Sequence, residues 1–154
     1  MSLAVEVAFG TRRPWVPGAE RLAAWARAAA GRAGGGLAIR VVTPTESRRL
    51  NRTYRGLDRA TNVLSFPAGG AGRAPGEPAP LGDLAICAAL VAREARAQRK
   101  RQAEHWAHMV VHGTLHLLGY DHERGPDALR MERRERRVLA RLGFADPYGA
   151  RRDG

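Results

Sequence analysis

Short apolar runs alternate with longer amphipathic stretches along most of the chain. Four runs have the length and apolar content of β-strands, at residues 3–9, 37–42, 62–66 and 81–88. Five stretches have helical periodicity or a helix-forming composition, at residues 17–30, 44–56, 89–100, 103–118 and 127–142. This order predicts an α/β (α+β) fold, in which a single mixed β-sheet of about four strands is covered by about five helices.

Local signals support several of the predicted boundaries. The sequence Thr43-Pro44-Thr45-Glu46 places a hydroxyl side chain at a helix N-cap, proline at the first helical position and glutamate at the third. Gly119 follows the fourth predicted helix and tolerates the left-handed conformation that ends many helices. Residues 68–80 are rich in glycine and proline and predict a loop between two strands, so residues 1–154 are expected to form a single domain.

The five histidines of the chain all lie between positions 105 and 122. His112 and His116 are four residues apart, so a helix places both imidazoles on one face, within reach of one metal ion. A chain reversal at Gly119 would bring His122 to the same ion. His108 lies about 12 Å from His116 along a helix, too far to join the set easily. We therefore predict a metal site at a helix end, with His112, His116 and His122 as ligands and His108 beside them or in contact with substrate.

Three histidine ligands leave the fourth position of a tetrahedral zinc site open to water or substrate, which is typical of catalytic zinc. One Zn²⁺ per chain is expected, and other divalent transition metals also bind imidazole. The spacing His-x3-His-x2-Gly-x2-His is also that of the metzincin peptidases, in which a glutamate follows the first histidine and acts as general base. Here that position is Gly113, which argues against a peptidase.

The chain is strongly basic, with a formal net charge of +11 from 26 basic and 15 acidic residues. Every basic residue except Lys100 is arginine, which binds phosphate bidentately and stacks on bases, so a polyanionic partner such as nucleic acid is favoured. A codon bias toward G and C would enrich arginine, alanine and glycine as well. Within residues 130–137 the arginines alternate with Glu132 and Glu135, which predicts a solvated, ion-paired helix face.

Cysteine usage and the first residues indicate a cellular compartment. Cys87 is the only cysteine, so a disulfide within the monomer is excluded and a reducing environment is indicated. The first residues lack a basic segment followed by a long apolar run, and no stretch reaches membrane-spanning length. A cytoplasmic location without membrane attachment is therefore expected.

Residues 54–67 form a second candidate constellation, predicted as a helix end, a polar turn and a buried strand. Most such stretches serve only as connections. Arg55, near the end of the helix, could hold a phosphate or neutralise negative charge that develops at the metal. We therefore include Arg55 among the candidate functional residues.

Five short motifs occur in a fixed order within residues 37–148. They are Tyr54-Arg55-Gly56, Thr61-Asn-Val-Leu-Ser-Phe-Pro67, Leu81-Gly-Asp83, His112-Gly-Thr-Leu-His116-Leu-Leu-Gly119-Tyr-Asp121-His122 and Leu142-Gly-Phe-Ala-Asp-Pro-Tyr148. In this order they resemble the YbeY family of endoribonucleases, the bacterial rRNA maturation factors. The histidine motif is the most discriminating part of the resemblance.

The resemblance implies a metal-dependent, single-strand-specific endoribonuclease that acts in small-subunit rRNA maturation and ribosome quality control. Its partners would be single-stranded RNA, small-subunit rRNA and ribosomal components. Carried onto this chain, the resemblance implies zinc bound by His112, His116 and His122, with Arg55 contacting the RNA phosphate. Arg55 and His112 are accordingly the expected catalytic residues.

Several assignments stay open at the level of sequence. Metal-activated water or the RNA 2′-hydroxyl could be the nucleophile, and Asp121 could assist. Asp83 could cap its own turn or orient a ligand histidine or Arg55, and Asp121 has a similar pair of roles beside His122.

Two other functions compete with the ribonuclease. One is a ribosome-assembly or RNA-binding factor whose zinc only supports the fold, and the other is a zinc hydrolase of another substrate. A fourth metal position closed by protein would favour the first of these. Basic side chains around the histidine cleft would favour an RNA substrate, whereas an uncharged, apolar cleft would favour a peptide or small molecule.

Overall fold

The computed structural model describes residues 3–68, 80–120 and 125–148. In these ranges it contains four strands, β1 (Ala4–Phe9), β2 (Gly36–Val42), β3 (Val63–Pro67) and β4 (Gly82–Cys87). It also contains five helices there, α1 (Ala19–Ala30), α2 (Pro44–Arg55), α3 (Ala88–Ala97), α4 (Gln102–Leu117) and α5 (Gly125–Arg141). The predicted α/β fold is confirmed. The largest boundary difference is in α3, which ends three residues before the predicted position because Arg99 adopts a left-handed φ of 56°.

The four strands form one mixed sheet in the order β1-β2-β4-β3. Strands β1, β2 and β4 are parallel, and β3 runs antiparallel to β4 at the edge. Val63, the first residue of β3, lies opposite Ile86 near the end of β4. The segment that enters β3 therefore lies at the carboxyl edge of the parallel strands, where open α/β sheets usually bind ligands.

Buried apolar side chains cover both faces of the sheet, so helices pack on both. The first face carries Leu37, Ile39, Val41, Leu84 and Ile86, which join buried residues of α1, α4 and α5 in the main core. The second face carries Val42, Ala85 and Cys87, which pack with Leu50 of α2 and Leu64 of β3. Cys87 is fully buried, and burial raises the pKa of its thiol, as expected for a structural cysteine.

Helix α4 is buried on almost all sides. Trp106, Val110 and Leu115 have no exposed surface, and the polar residues His105 and Thr114 are buried as well. A helix that is enclosed in this way belongs to the core rather than to the surface layer. Among the described helices, including this one, none is both long and apolar enough to span a membrane.

Gly119 ends α4 as the sequence predicts. Its φ is 104°, and its N–H donates to the carbonyl of His116 at 3.0 Å. The next N–H, of Tyr120, donates to the carbonyl of Leu115 at 3.1 Å, which completes a Schellman motif. His116 therefore occupies the last turn of α4, and the chain turns away immediately after it.

Helix α2 begins at the predicted N-cap and ends one residue before the predicted boundary at residue 56. The Thr43 hydroxyl accepts a hydrogen bond from the Glu46 N–H at 3.2 Å, which caps the first turn. The helix ends at Arg55 because Gly56 adopts a left-handed φ of 71°. Arg55 is thus the last helical residue and is exposed at the helix terminus.

Two buried polar side chains of α2 hold the following turn against the helix. The Ser47 hydroxyl donates to the carbonyl of Thr61 and accepts from its N–H, both at 2.9 Å. The Asn51 amide donates to the carbonyl of Arg59 at 2.9 Å. These bonds give the buried Ser47 hydroxyl and the buried Asn51 NH₂ group backbone partners, and they tie the end of α2 to the start of β3.

Candidate active site

A cavity of about 760 Å³ opens between the end of α2, the start of β3 and α4. Its volume is within the range of about 300–1,000 Å³ that is common for ligand sites. Helix α2 contributes Tyr54 and Arg55, helix α4 contributes His108, Met109, His112 and His116, and Tyr148 lies beside them after α5. Arg55, His108, His112 and His116, which are candidate residues from two separate segments of the sequence, therefore line the same cavity.

Glu135 of α5 lies behind the histidines and is completely buried. Its carboxylate oxygen Oε2 is 2.5 Å from Nδ1 of His112 and 3.6 Å from Nε2 of His108. Its other oxygen, Oε1, accepts a hydrogen bond from the Tyr148 hydroxyl. The hydroxyl is also 3.3 Å from Nε2 of His108, so four side chains form one polar network in the wall of the cavity.

The network keeps Glu135 ionised. Burial acts to raise the pKa of its carboxyl, but the nearby rings of His108 and His112 outweigh burial and lower the pKa to about 2. Burial lowers the pKa of His108 and dominates the opposing effect of Glu135, so His108 is neutral at neutral pH. Burial and the neighbouring carboxylate raise the pKa of Tyr148, which stays protonated and donates. The ionised Glu135 carboxylate therefore lies in direct contact with Nδ1 of the His112 ring.

One group in the described part of the chain has the geometry to hold a metal ion. Ligand atoms of His108, His112 and Glu135 all lie within 4.8 Å of one another. His116 lies one turn beyond His112 on α4 and faces the same cavity. The predicted third ligand, His122, lies outside the described residues.

The two aspartates expected near the ligands have different positions. Asp121 lies outside the described residues. Asp83 is exposed on β4, opposite Phe66, and is not among the residues that line the cavity. In the described ranges no hydrogen bond joins Asp83 to His112, His116 or Arg55.

Arg55 differs in charge environment from the other arginines of α2. Arg48 forms a two-point ion pair with Asp58, and Arg49 forms one with Glu46. Arg52 lies 3.9 Å from Asp58. Within the described residues, Arg55 has no carboxylate partner and faces the cavity. Its guanidinium can therefore offer its full charge and its donors to an anion.

His105 is not among the residues that line the cavity, and its contacts are structural. Its Nε2 lies 2.7 Å from Oε1 of Glu94, which also accepts hydrogen bonds from the Asn62 amide at 3.0 and 3.1 Å. Burial acts to raise the pKa of Glu94, but the bonds from His105 and Asn62 lower it overall. Because Asn62 lines the cavity, this network anchors the entry to β3.

Gly113, which occupies the position of the peptidase glutamate, faces the sheet rather than the cavity. A Cβ atom added there would lie 2.7 Å from Cδ2 of Leu84 and 3.3 Å from Cγ2 of Val63. A glutamate at this position would force the Leu84 and Val63 side chains to shift or α4 to move away from the sheet. Packing against the sheet therefore gives a second reason for glycine at this position.

We predict that Gly113→Val destabilises the protein by about 1–3 kcal/mol, because the added methyl groups overpack the contact with Leu84. Urea unfolding at equilibrium measures the difference. Gly36→Val is the matched control, since nothing lies within 4 Å of a Cβ built at Gly36 and valine is favourable in a strand. Equal stability of the two variants would contradict the close approach of α4 to the sheet.

Sequence reasoning missed Glu135 and Tyr148 as parts of the site. The charged run 130–137 was expected to be solvated, and this expectation is wrong for Glu135, which has no exposed surface. A signal was present, because Glu135 shares helical spacing with the buried residues Met131, Val138 and Leu139. A carboxylate on the apolar stripe of a helix requires a buried partner, and that partner is His112.

Comparison with known proteins identifies the family. Residues 19–143 match the sequence profile of the family described as Endoribonuclease YbeY. A protein of that name from Halorhodospira halophila is 58% identical over 139 residues, which cover 88% of this chain and 90% of that protein. Another from Alkalilimnicola ehrlichii is 63% identical over 115 residues, which cover 73% of this chain and 68% of that protein.

The fold has a known counterpart as well. The solution structure of a Thermotoga maritima protein superposes with a TM-score of 0.52 and 22% identity, covering 95% of this chain and 99% of that one. This likeness concerns the fold alone, whereas the two sequence relatives and the family profile extend over most of the chain. The resemblance predicted from the motifs is therefore confirmed: the chain belongs to the YbeY family of endoribonucleases.

Proposed function

We propose that this protein is a zinc-dependent endoribonuclease that cuts single-stranded RNA during small-subunit rRNA maturation and ribosome quality control in the cytoplasm. The observation that carries the proposal is that Arg55, His112 and His116 line the same cavity. An arginine without a carboxylate partner in the described residues recognises phosphate, and paired histidines provide metal ligands. The names of the relatives support RNA as the substrate.

We propose His112, His116 and His122 as the zinc ligands. The contact of His112 Nδ1 with Glu135 supports this set, because metal-bound histidines usually donate their other ring nitrogen to a carboxylate. The contact orients Nε2, on the opposite edge of the ring, away from Glu135. A direct site on His108, His112 and Glu135 is less favourable, because the buried carboxylate already accepts hydrogen bonds from His112 and Tyr148.

Zinc held at this position would supply Lewis acidity toward a phosphoryl oxygen or a water molecule. The protein side chains have complementary roles. Arg55 binds the phosphate and stabilises the negative charge that grows on it during cleavage. Glu135 holds the His112 ring in one orientation, and Tyr148 holds Glu135 from the other side. The nucleophile and the general base stay unassigned among the candidates named from sequence.

Glu135→Gln is expected to weaken zinc binding by about 10–100-fold, the usual effect of losing a carboxylate behind a metal-bound histidine. The glutamine amide keeps the size of the side chain. Its NH₂ group is a donor, however, and cannot accept one of the two hydrogen bonds that Glu135 accepts. Titration against a competing chelator measures the affinity. Glu132→Gln on the same helix is the control, because Glu132 is partly exposed and lies 4.0 Å from Arg136. Wild-type affinity in a folded Glu135→Gln protein would refute the orienting role.

The function is tested by incubating the zinc-loaded protein with single-stranded and duplex RNA of the same sequence. We expect the single strand to be cut and the duplex to remain intact. A His116→Ala protein purified in the same way controls for contaminating nuclease. RNA that is bound but uncut by the wild-type protein would instead support an assembly factor.

A further inference from the structure

Tyr54 is the most exposed large hydrophobic side chain in the described part of the chain. Its exposed fraction is 67%, compared with 53% for Leu129, 40% for Tyr148 and 37% for Trp15. Its ring lines the cavity, and it directly precedes Arg55 in the last turn of α2. Exposing an aromatic ring to water is unfavourable. An aromatic ring that stays exposed beside a charged cavity therefore indicates a surface that binds a ligand.

The Tyr54 ring is supported from one side by Phe66 of β3. The two ring centroids are 5.2 Å apart, with an interplanar angle of 64°, which is a favourable edge-to-face arrangement. Phe66 is half-buried against the apolar cluster on the second face of the sheet, so it connects Tyr54 to a rigid part of the sheet. The Tyr54 hydroxyl has no hydrogen bond to any residue of the described ranges. The structure therefore holds this ring in place without covering it.

We propose that Tyr54, supported by Phe66, is a stacking subsite for an unpaired nucleobase next to the phosphate that Arg55 contacts. This inference rests on the proposed ribonuclease function and deepens it. Two neighbouring residues at the end of α2 would then bind adjacent parts of the RNA. Tyr54 would contact the base, and Arg55 would contact the phosphate. Stacking on an aromatic side chain tolerates every base, because each base has a π-face.

Such a subsite would give the protein a preference for single-stranded RNA. In a duplex, both faces of an internal base are covered by its neighbours, and its edge is paired. An unpaired base can turn its face toward Tyr54 without breaking a pair. The selectivity for single strands then comes from the accessibility of the base face rather than from charge, since both forms of RNA carry phosphates for Arg55.

Binding of a short single-stranded RNA that carries one fluorescent 2-aminopurine tests the subsite. We expect Tyr54→Ala to weaken binding by about 5- to 150-fold, the range for losing one base–aromatic stack. The fluorescence quenching that stacking causes is lost as well. Tyr54→Leu keeps an apolar contact with Phe66 without a ring and gives the same loss, whereas Tyr54→Phe binds close to wild type. Trp15→Ala is the control for an exposed aromatic residue that does not line the cavity.

The salt dependence of binding separates stacking from phosphate contact. Tyr54→Ala should leave the slope of log affinity against log salt unchanged. Arg55→Ala should reduce that slope by about one, as expected when one phosphate contact is removed. A loss of the fold in Tyr54→Ala would change both quantities, and thermal melting detects it independently.

An RNA series with one abasic position provides the complementary measurement. The wild-type protein should bind the best-placed abasic RNA as weakly as Tyr54→Ala binds the intact RNA, with no further loss when both changes are combined. Wild-type affinity of Tyr54→Ala for intact RNA, or full additivity of the two changes, would overturn the subsite while leaving the ribonuclease function in place. A wild-type protein that neither binds nor cuts any of these RNAs would instead refute the proposed function itself.

Discussion

Replacing His116 with alanine is expected to reduce bound zinc from about one ion per chain to a small fraction, because two histidines hold zinc far less tightly than three. Cleavage of single-stranded RNA should fall by about 10³-fold or more, since a catalytic metal contributes several kcal/mol to transition-state stabilisation. Elemental analysis after dialysis measures the zinc, and gel-resolved cleavage measures the rate on the same preparation.

His108→Ala is the matched variant that separates the two possible ligand sets. His108 lies one turn before His112 on the same helix and belongs to the group of His108, His112 and Glu135. If zinc is bound by His112, His116 and His122, His108→Ala keeps its zinc and His116→Ala loses it. The opposite pattern would contradict our assignment and place the ion against Glu135. Unchanged zinc in both variants would exclude both sets.

Arg55→Ala is expected to lower the rate of RNA cleavage by about 10²–10³-fold, the usual cost of removing one preorganised group that stabilises transition-state charge. Arg55 has no carboxylate partner in the described residues, so its charge is available to the RNA phosphate. The other three arginines of α2 each have a carboxylate within 4.0 Å. Steady-state kinetics on a single-stranded substrate measure the change in kcat and in KM separately.

Arg52→Ala controls for the loss of one positive charge from α2. Arg52 is on the same helix, lies near Asp58 and does not line the cavity. An effect of Arg55→Ala on kcat supports a role in the transition state, whereas an effect on KM alone indicates phosphate binding without catalysis. If Arg55→Ala cuts RNA at the wild-type rate, Arg55 has no role in the reaction.

The secondary structure could be predicted well because its signals are local. The strands and helices follow from apolar periodicity, and the ends of α2 and α4 follow from Gly56 and Gly119, both of which adopt positive φ. The strand order β1-β2-β4-β3 could not be predicted in the same way. Ladder partners such as Ile39 and Leu84 are far apart in sequence, and their pairing depends on how whole elements pack.

The candidate site was predictable where a residue type limits its own chemistry. Histidines at helical spacing and an arginine at a helix end were candidates by residue type, and the structure brings Arg55, His112 and His116 to one cavity, while their roles stay predictions. Glu135 was missed because its arginine neighbours in sequence suggested solvent exposure. Its environment depends on the packing of α5 against α4, which no local signal except the apolar spacing indicates.

The burial of α4 couples the candidate active site to the folding of the core. Functional side chains commonly lie on loops that open at little free-energy cost. Here His108, His112 and His116 lie on a helix that also supplies Trp106 and Val110 to the main core. A local opening that displaced one of the histidines would disrupt that core, and a metal bound only to the native state adds to its stability by mass action. We therefore expect the histidine cavity and the main core to unfold in one cooperative transition, at a temperature that bound metal would raise.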